Sequence, residues 1–104
     1  MAMKLLTKEI LSKLPPLYSQ ENNPDPTVWV KFFDPTGSWT WYATEGSAEG
    51  EDFYFFGLVQ GFEDELGMFS LKELTKFRGR FGLGIERDRY FKPVPLSQIK
   101  RRGI

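Results

Sequence analysis

Two period-two segments on either side of Asp34-Pro35-Thr36-Gly37 constrain this chain most, because alternating segments joined by a tight turn leave little but an antiparallel hairpin. Successive strand side chains point to opposite faces, so Val28, Val30 and Phe32 fall on one side and Trp29, Lys31 and Phe33 on the other. The turn has the residues of type I: Asp at the first position, Pro supplying its fixed φ at the second, Gly at the fourth. On the returning segment Trp39, Trp41 and Ala43 share a face, with Thr40 and Tyr42 opposite. The stretch from Glu45 to Glu51, with two Gly and two small residues, reads as a flexible acidic loop. Asp52 to Gln60 is apolar on both faces, which predicts a central strand covered on both sides, one of them by a helix.

The flanks supply the helices. Thr7 caps a short segment in which Leu6, Ile10, Leu11 and Leu14 share a face, and Pro15-Pro16 stops it. Leu17 to Pro26 reads as a surface loop. Phe62 to Gly67 reverses the chain into a short strand around Met68 and Phe69. Ser70-Leu71-Lys72-Glu73 is a capping box, and Phe69 and Leu74 are spaced as its hydrophobic staple. The predicted helix runs from Leu71 to Arg78, with Gly79 as a left-handed stop. Arg87 to Phe91 reads as a short edge strand and Leu96 to Lys100 as a brief amphipathic segment. The expected fold is α+β: an antiparallel sheet of three to four strands, an N-terminal helix and a second helix over about 71–78 packed on the sheet. Residues 1–104 form one domain, with 1–3 and 100–104 loose.

Composition narrows the chemistry. The 104 residues contain no Cys and no His, which removes disulfides, thiolate sites, Ser-His and Cys-His nucleophile systems and the usual zinc ligand sets. No cofactor is implied. Charged residues interrupt the apolar content of the first sixteen residues, so they read as a mature cytoplasmic N-terminus and not as a secretory signal. No apolar run approaches the roughly 18 residues of a membrane helix.

A formal charge of zero conceals a sharp asymmetry. Phe32 to Leu71 holds eight carboxylates and no Lys or Arg, whereas Lys72 to Arg102 holds ten Lys and Arg against three carboxylates. Such asymmetry bears on partners and steering. Glu63-Asp64-Glu65 is the densest acidic cluster; with Asp52, Glu86 or Asp88 it offers oxygen ligands for Mg²⁺, but as a hairpin loop its side chains would diverge, and no metal site is assigned. Glu86-Arg87-Asp88-Arg89, as a strand, would project its carboxylates from one face and its guanidiniums from the other. Arg78, Arg80, Arg87, Arg89 and Lys92 make a candidate phosphate-contacting stripe, with Phe81 or Tyr90 for base stacking. Trp29 and Tyr42 become partner-contact candidates if their sheet face is open.

The order Leu14-Pro15-Pro16-Leu17-Tyr18, Val30-Lys31-Phe32-Phe33, Trp39-Thr40-Trp41-Tyr42, Phe55, Gly57-Leu58-Val59, then Glu63, Glu65-Leu66-Gly67, Phe69, Gly84-Ile85-Glu86-Arg87-Asp88 and Phe91-Lys92-Pro93 resembles an uncharacterised family of small bacterial proteins. The resemblance spans almost the whole chain. It implies a domain of unknown function often encoded on plasmids and other mobile elements, near genes for DNA transfer or antirestriction, and it carries no catalytic residue. The leading expectation is a non-catalytic protein-binding module serving element maintenance or evasion of host defence. Its candidate partner-binding residues are Glu63, Asp64, Glu65, Glu86, Arg87, Asp88, Arg89, Trp29 and Tyr42. The alternatives are a nucleic-acid-binding accessory using the basic C-terminal third, and a carboxylate and Mg²⁺ dependent hydrolase or nuclease. A homodimer is compatible with an open edge strand and oppositely charged ends.

Overall fold

The hairpin around Asp34–Gly37 forms, and the other elements are laid against it. The computed structural model describes residues 4–99. Along them run α1 (Lys8–Lys13), β1 (Thr27–Val28), β2 (Val30–Phe33), β3 (Thr40–Glu49), β4 (Asp52–Gln60), β5 (Asp64–Ser70), α2 (Leu71–Lys76), β6 (Glu86–Arg87) and β7 (Val94–Pro95). Short 3-10 turns span Arg80–Gly82 and Leu96–Gln98. Among the described residues the main sheet has five antiparallel strands in the order β5-β4-β3-β2-β6, and β1 pairs with β7 in a separate ribbon. The α+β class and both helices are as expected. The predicted loose ends, 1–3 and 100–104, lie outside the described residues.

Both helices pack on one face. Leu14 from the end of α1, Leu74 of α2 and Phe69 are buried with Val30, Phe32, Trp41, Ala43, Phe53 and Phe55 in one cluster. The stripe on α1 is narrower than the spacing suggested, since Leu6, Ile10 and Leu14 join the core while Leu11 is exposed. The capping box is complete: the Ser70 hydroxyl accepts from Glu73 N–H at 3.1 Å and the Glu73 carboxylate accepts from Ser70 N–H at 3.0 Å. Helix α2 is shorter than predicted. It ends at Lys76, and Gly79 is extended instead of left-handed. A Cβ at Gly79 would press on the Asp34 carboxylate, so this glycine serves close approach to the hairpin turn and not a helix stop.

The opposite face is covered in part. Val28, Tyr42 and Leu58 are buried there beneath Phe91, Leu96 and Ile99. The covering segment is pinned by Asp25, whose carboxylate accepts from Ser97 N–H at 2.9 Å and from the Ser97 hydroxyl at 2.7 Å. Strict alternation over 27–33 had put Val28 and Val30 on one face. Instead Trp29 N–H donates to Ala43 C=O at 2.9 Å while Val30 stands opposite Ala43, so two residues face one and the side chains change face at Trp29.

The largest departure concerns Glu45 to Glu51. Strand β3 continues to Glu49, and only Gly50, at φ 60°, and Glu51 make the turn into β4. A register shift between Ala43 and Glu45 marks a bulge at Thr44. Opposite it, a Cβ on Gly57 would strike the Tyr42 carbonyl, so this position admits only glycine without backbone movement. Glu45 is buried, and its two oxygens accept from Tyr18 N–H at 2.9 Å and Gln20 N–H at 2.8 Å. With Gly46 N–H bonded to Pro15 C=O at 2.9 Å, the 15–20 segment occupies the side of β3 that the short β2 does not reach.

Candidate functional site

Four of the residues singled out in the sequence meet at one edge of the sheet. Trp29, Arg87, Asp88 and Arg89 line a cleft of about 310 Å³ whose other wall is α1, with Glu9, Ile10 and Lys13. Each side arrives for a local reason. Thr7 starts α1 by accepting from Ile10 N–H at 3.2 Å, which turns Glu9 and Lys13 toward solvent as an i, i+4 pair 3.3 Å apart. Strand β6 pairs with β2 so that Arg87 stands opposite Phe32 and Glu86 opposite Phe33, and Asp88 N–H extends the ladder to Lys31 C=O at 2.9 Å. The expected alternation of charge therefore holds at 86–87, but the strand is only Glu86–Arg87 and not Arg87–Phe91. Asp88 instead opens a turn, accepting from Tyr90 N–H at 2.9 Å.

The cleft's carboxylates are already matched. Asp88 lies 3.7 Å from Lys31 Nζ, which also sits 5.8 Å above the Tyr42 ring, and Glu9 has Lys13. Arg87 Nε donates to Lys4 C=O at 3.3 Å, a neutral acceptor. Arg89 is exposed and makes no ion pair among the described residues. With Trp29, Phe91 and Pro93 lining the same cleft, the arrangement suits a ligand with an apolar portion and a carboxylate or phosphate.

The other sequence candidates lie elsewhere. Tyr42 is not on an open face; it is buried with its ring 6.2 Å from Phe91. Glu63 precedes β5, and Asp64 and Glu65 are strand residues pairing with Gln60 and Val59, so they diverge more than a loop would require. Among the described residues no group of three carboxylates converges as a metal site would need. The basic stripe is divided: Arg87 and Arg89 reach the cleft, whereas Arg78, Arg80 and Lys92 do not line it. Arg78 is spent on the end of α2, donating to the carbonyls of Thr75 at 2.8 Å and Phe77 at 2.7 Å. Arg80 N–H bonds the Thr36 hydroxyl at 3.0 Å, which anchors the loop after α2 to the hairpin turn.

A family model described as "Protein of unknown function (DUF2958)" matches residues 5–101, which takes in both helices, the whole sheet and the cleft. The chain belongs to this family. No curated protein and no solved structure matches it. Membership in DUF2958 carries no activity, so roles within this DUF2958 fold rest on its geometry. No described helix is long and apolar enough to cross a membrane.

Sequence reasoning missed Lys13 and Glu9 as neighbours of Arg87 and Arg89, because nothing local links α1 to β6. The acidic and basic halves also do not simply neutralise each other in the DUF2958 fold. Among the described residues Glu49, Glu51, Glu63 and Glu65 pair with none of the basic residues after Leu71. Asp52 makes a local tie to the start of α2. Its loss of hydration pushes the pKa up, but N–H groups of Phe53 and Lys72, the Ser70 hydroxyl and the Lys72 charge outweigh this and hold it below its ordinary value.

Proposed function

We propose that the protein is a non-catalytic binding module that receives an acidic segment of a protein partner in the cleft between α1 and β6. The observation that carries this reading is Arg89: an exposed guanidinium without an ion pair among the described residues, at a cleft whose carboxylates already have lysine partners. Trp29 and Phe91 supply the aromatic anchor surface that gives protein contacts most of their affinity, and the guanidinium supplies orientation and steering. The lack of His and Cys accords with binding in place of catalysis. The same proposal places the module in the cytoplasm and in the mobile-element setting that the resemblance implies, acting in element maintenance or evasion of host defence.

The test is affinity capture from host cells with the wild-type chain, Arg89→Glu and Trp29→Ala side by side. A partner recovered in stoichiometric amount by the wild type and lost with both variants is the expected result. Equal recovery by Arg89→Glu removes the cleft from the reading. The nucleic-acid alternative predicts retention in a low-salt gel shift that weakens steeply with added salt. If that retention depends on Arg89 and no protein partner is recovered, the order of the two readings reverses.

A further inference from the structure

Strand β5 forms one outer edge of the sheet, and its hydrogen-bonding direction can be worked out from its ends. Gly61 N–H donates to Glu63 C=O at 3.1 Å, which makes 61 and 63 a hydrogen-bonded pair. Such pairs alternate along an antiparallel ladder. With the observed register, the bonded pairs are then Val59 with Glu65, Gly57 with Gly67 and Phe55 with Phe69. The N–H and C=O groups of Leu66 and Met68 therefore point away from β4, toward the outside of the sheet. Ser70, next in that series, has its N–H taken by Glu73.

This edge has little of the usual protection beyond the charges of Asp64 and Glu65 at its start. No Lys, Pro or register shift interrupts Asp64–Ser70, and Leu66 and Met68 are 54% and 45% exposed on the face away from the helices. Half-buried Tyr54 and Phe56 of β4 continue the same apolar surface.

We propose that two copies of this chain pair through β5, antiparallel about a two-fold axis at Gly67, joining the two sheets into one. The sequence of the edge selects both occupant and register. An axis at Gly67 sets Leu66 of each copy against Met68 of the other as hydrogen-bonded pairs, matching apolar to apolar. It also brings the acidic start of each β5, Glu63 and Glu65, toward the other copy's α2 start, where Lys72 is exposed. An axis at Leu66 would satisfy the same backbone groups, and either axis sets a glutamate opposite Phe69, Glu65 with the axis at Gly67 and Glu63 with the axis at Leu66. They differ in that the Leu66 axis sets Asp64 against Met68, whereas the Gly67 axis sets it against Ser70. Charge and polarity therefore favour Gly67.

Cysteine cross-linking tests this cleanly, because the chain has no cysteine of its own. Across the proposed axis the two Gly67 residues form a non-hydrogen-bonded pair with Cα atoms about 4.5 Å apart, within the disulfide range of about 4.4–6.8 Å. A Cβ at Gly67 meets nothing within 4 Å, so Gly67→Cys is tolerated by the fold. On mild oxidation Gly67→Cys is expected to form a covalent dimer, and Leu66→Cys and Met68→Cys are not. Sedimentation of the wild type should show the doubled mass, and Met68→Lys should weaken the dimer by at least about tenfold, or ~1.4 kcal/mol. Arg89→Glu should dimerise like the wild type, which separates this interface from the cleft. A wild type monomeric throughout a dilution series leaves the edge to an extended segment of another protein and overturns the proposal. A dimer cross-linked through Leu66→Cys in place of Gly67→Cys overturns the register, and a dimer cross-linked by none of the three excludes β5 as the interface.

Discussion

Removing the carboxylate of Glu45 should cost this domain about 3 kcal/mol, far more than a residue in an acidic surface loop could. Glu45 is 4% exposed, and each of its oxygens accepts a separate backbone N–H, from Tyr18 at 2.9 Å and Gln20 at 2.8 Å. Hydrogen bonds to a charged group contribute about 1.5–3 kcal/mol each, so two set a ceiling of about 6 kcal/mol. The 17–20 turn carries exposed residues, and water can reach part of what the carboxylate leaves, which halves that ceiling. The bonds also hold Tyr18 at φ 70°, a left-handed conformation that a non-glycine residue adopts at a cost of roughly 1–2 kcal/mol. Glu45→Gln keeps one acceptor but turns an NH₂ toward the second N–H, so it should lose about half as much as Glu45→Ala. Urea unfolding followed by fluorescence provides the assay: with m of about 1–3 kcal/mol/M, Glu45→Ala should lower the midpoint by roughly 1–3 M. Glu49→Ala, four residues on at the exposed end of β3, is the control and should stay within about 0.5 kcal/mol of wild type. If Glu45→Ala matches that control, the two N–H groups are served equally well by water and the tether argument fails.

Gly57→Ala should destabilise the chain by about 2 kcal/mol or more, because its Cβ meets the Tyr42 carbonyl in the neighbouring strand; a melting temperature equal to wild type would show that the Thr44 bulge yields freely. Ser70→Ala breaks the reciprocal cap at α2 and the hydroxyl's bond to Asp52, and should cost about 1 kcal/mol or more in urea unfolding; an unchanged midpoint would show that water serves the Glu73 N–H equally well. Asp52 has a folded-state pKa held below its unfolded value, so its stabilising contribution is present above about pH 4 and is lost as the pH falls through the folded pKa. Asp52→Asn should therefore be less stable than wild type at neutral pH and converge with it in acid, and a constant difference in unfolding midpoint between pH 7 and pH 2.5 would contradict this.

Local signals in the sequence were strong enough to determine several elements before any packing is considered. Asp34-Pro35-Thr36-Gly37 and Ser70-Leu71-Lys72-Glu73 each complete their hydrogen bonds within four residues, and both form as read, with Gly37 N–H on Asp34 C=O at 3.3 Å and the capping box closed. Alternation over Trp39 to Ala43 and over Phe53 to Val59 likewise sorted the side chains into two faces, because a strand's period is independent of what covers it, but it did not assign which of the two the helices cover. That the chain belongs to a family of unknown function was legible in the order and spacing of those segments.

Tertiary structure decided what depends on partners distant in the chain. Glu45 reads as a solvated acid until the 15–20 segment brings two N–H groups to it, and Gly79 reads as a helix stop until the Asp34 turn lies against it. The face change at Trp29 follows from two residues opposing Ala43, which no property of residues 27–33 encodes. The cleft is of this kind too: Arg87 and Arg89 come to face Lys13 and Glu9 because β6 pairs with β2 beside α1. A residue's own neighbours fix its local geometry and its period. What it is buried against, and which charges it meets, is fixed only when strands far apart in sequence take their places in one sheet.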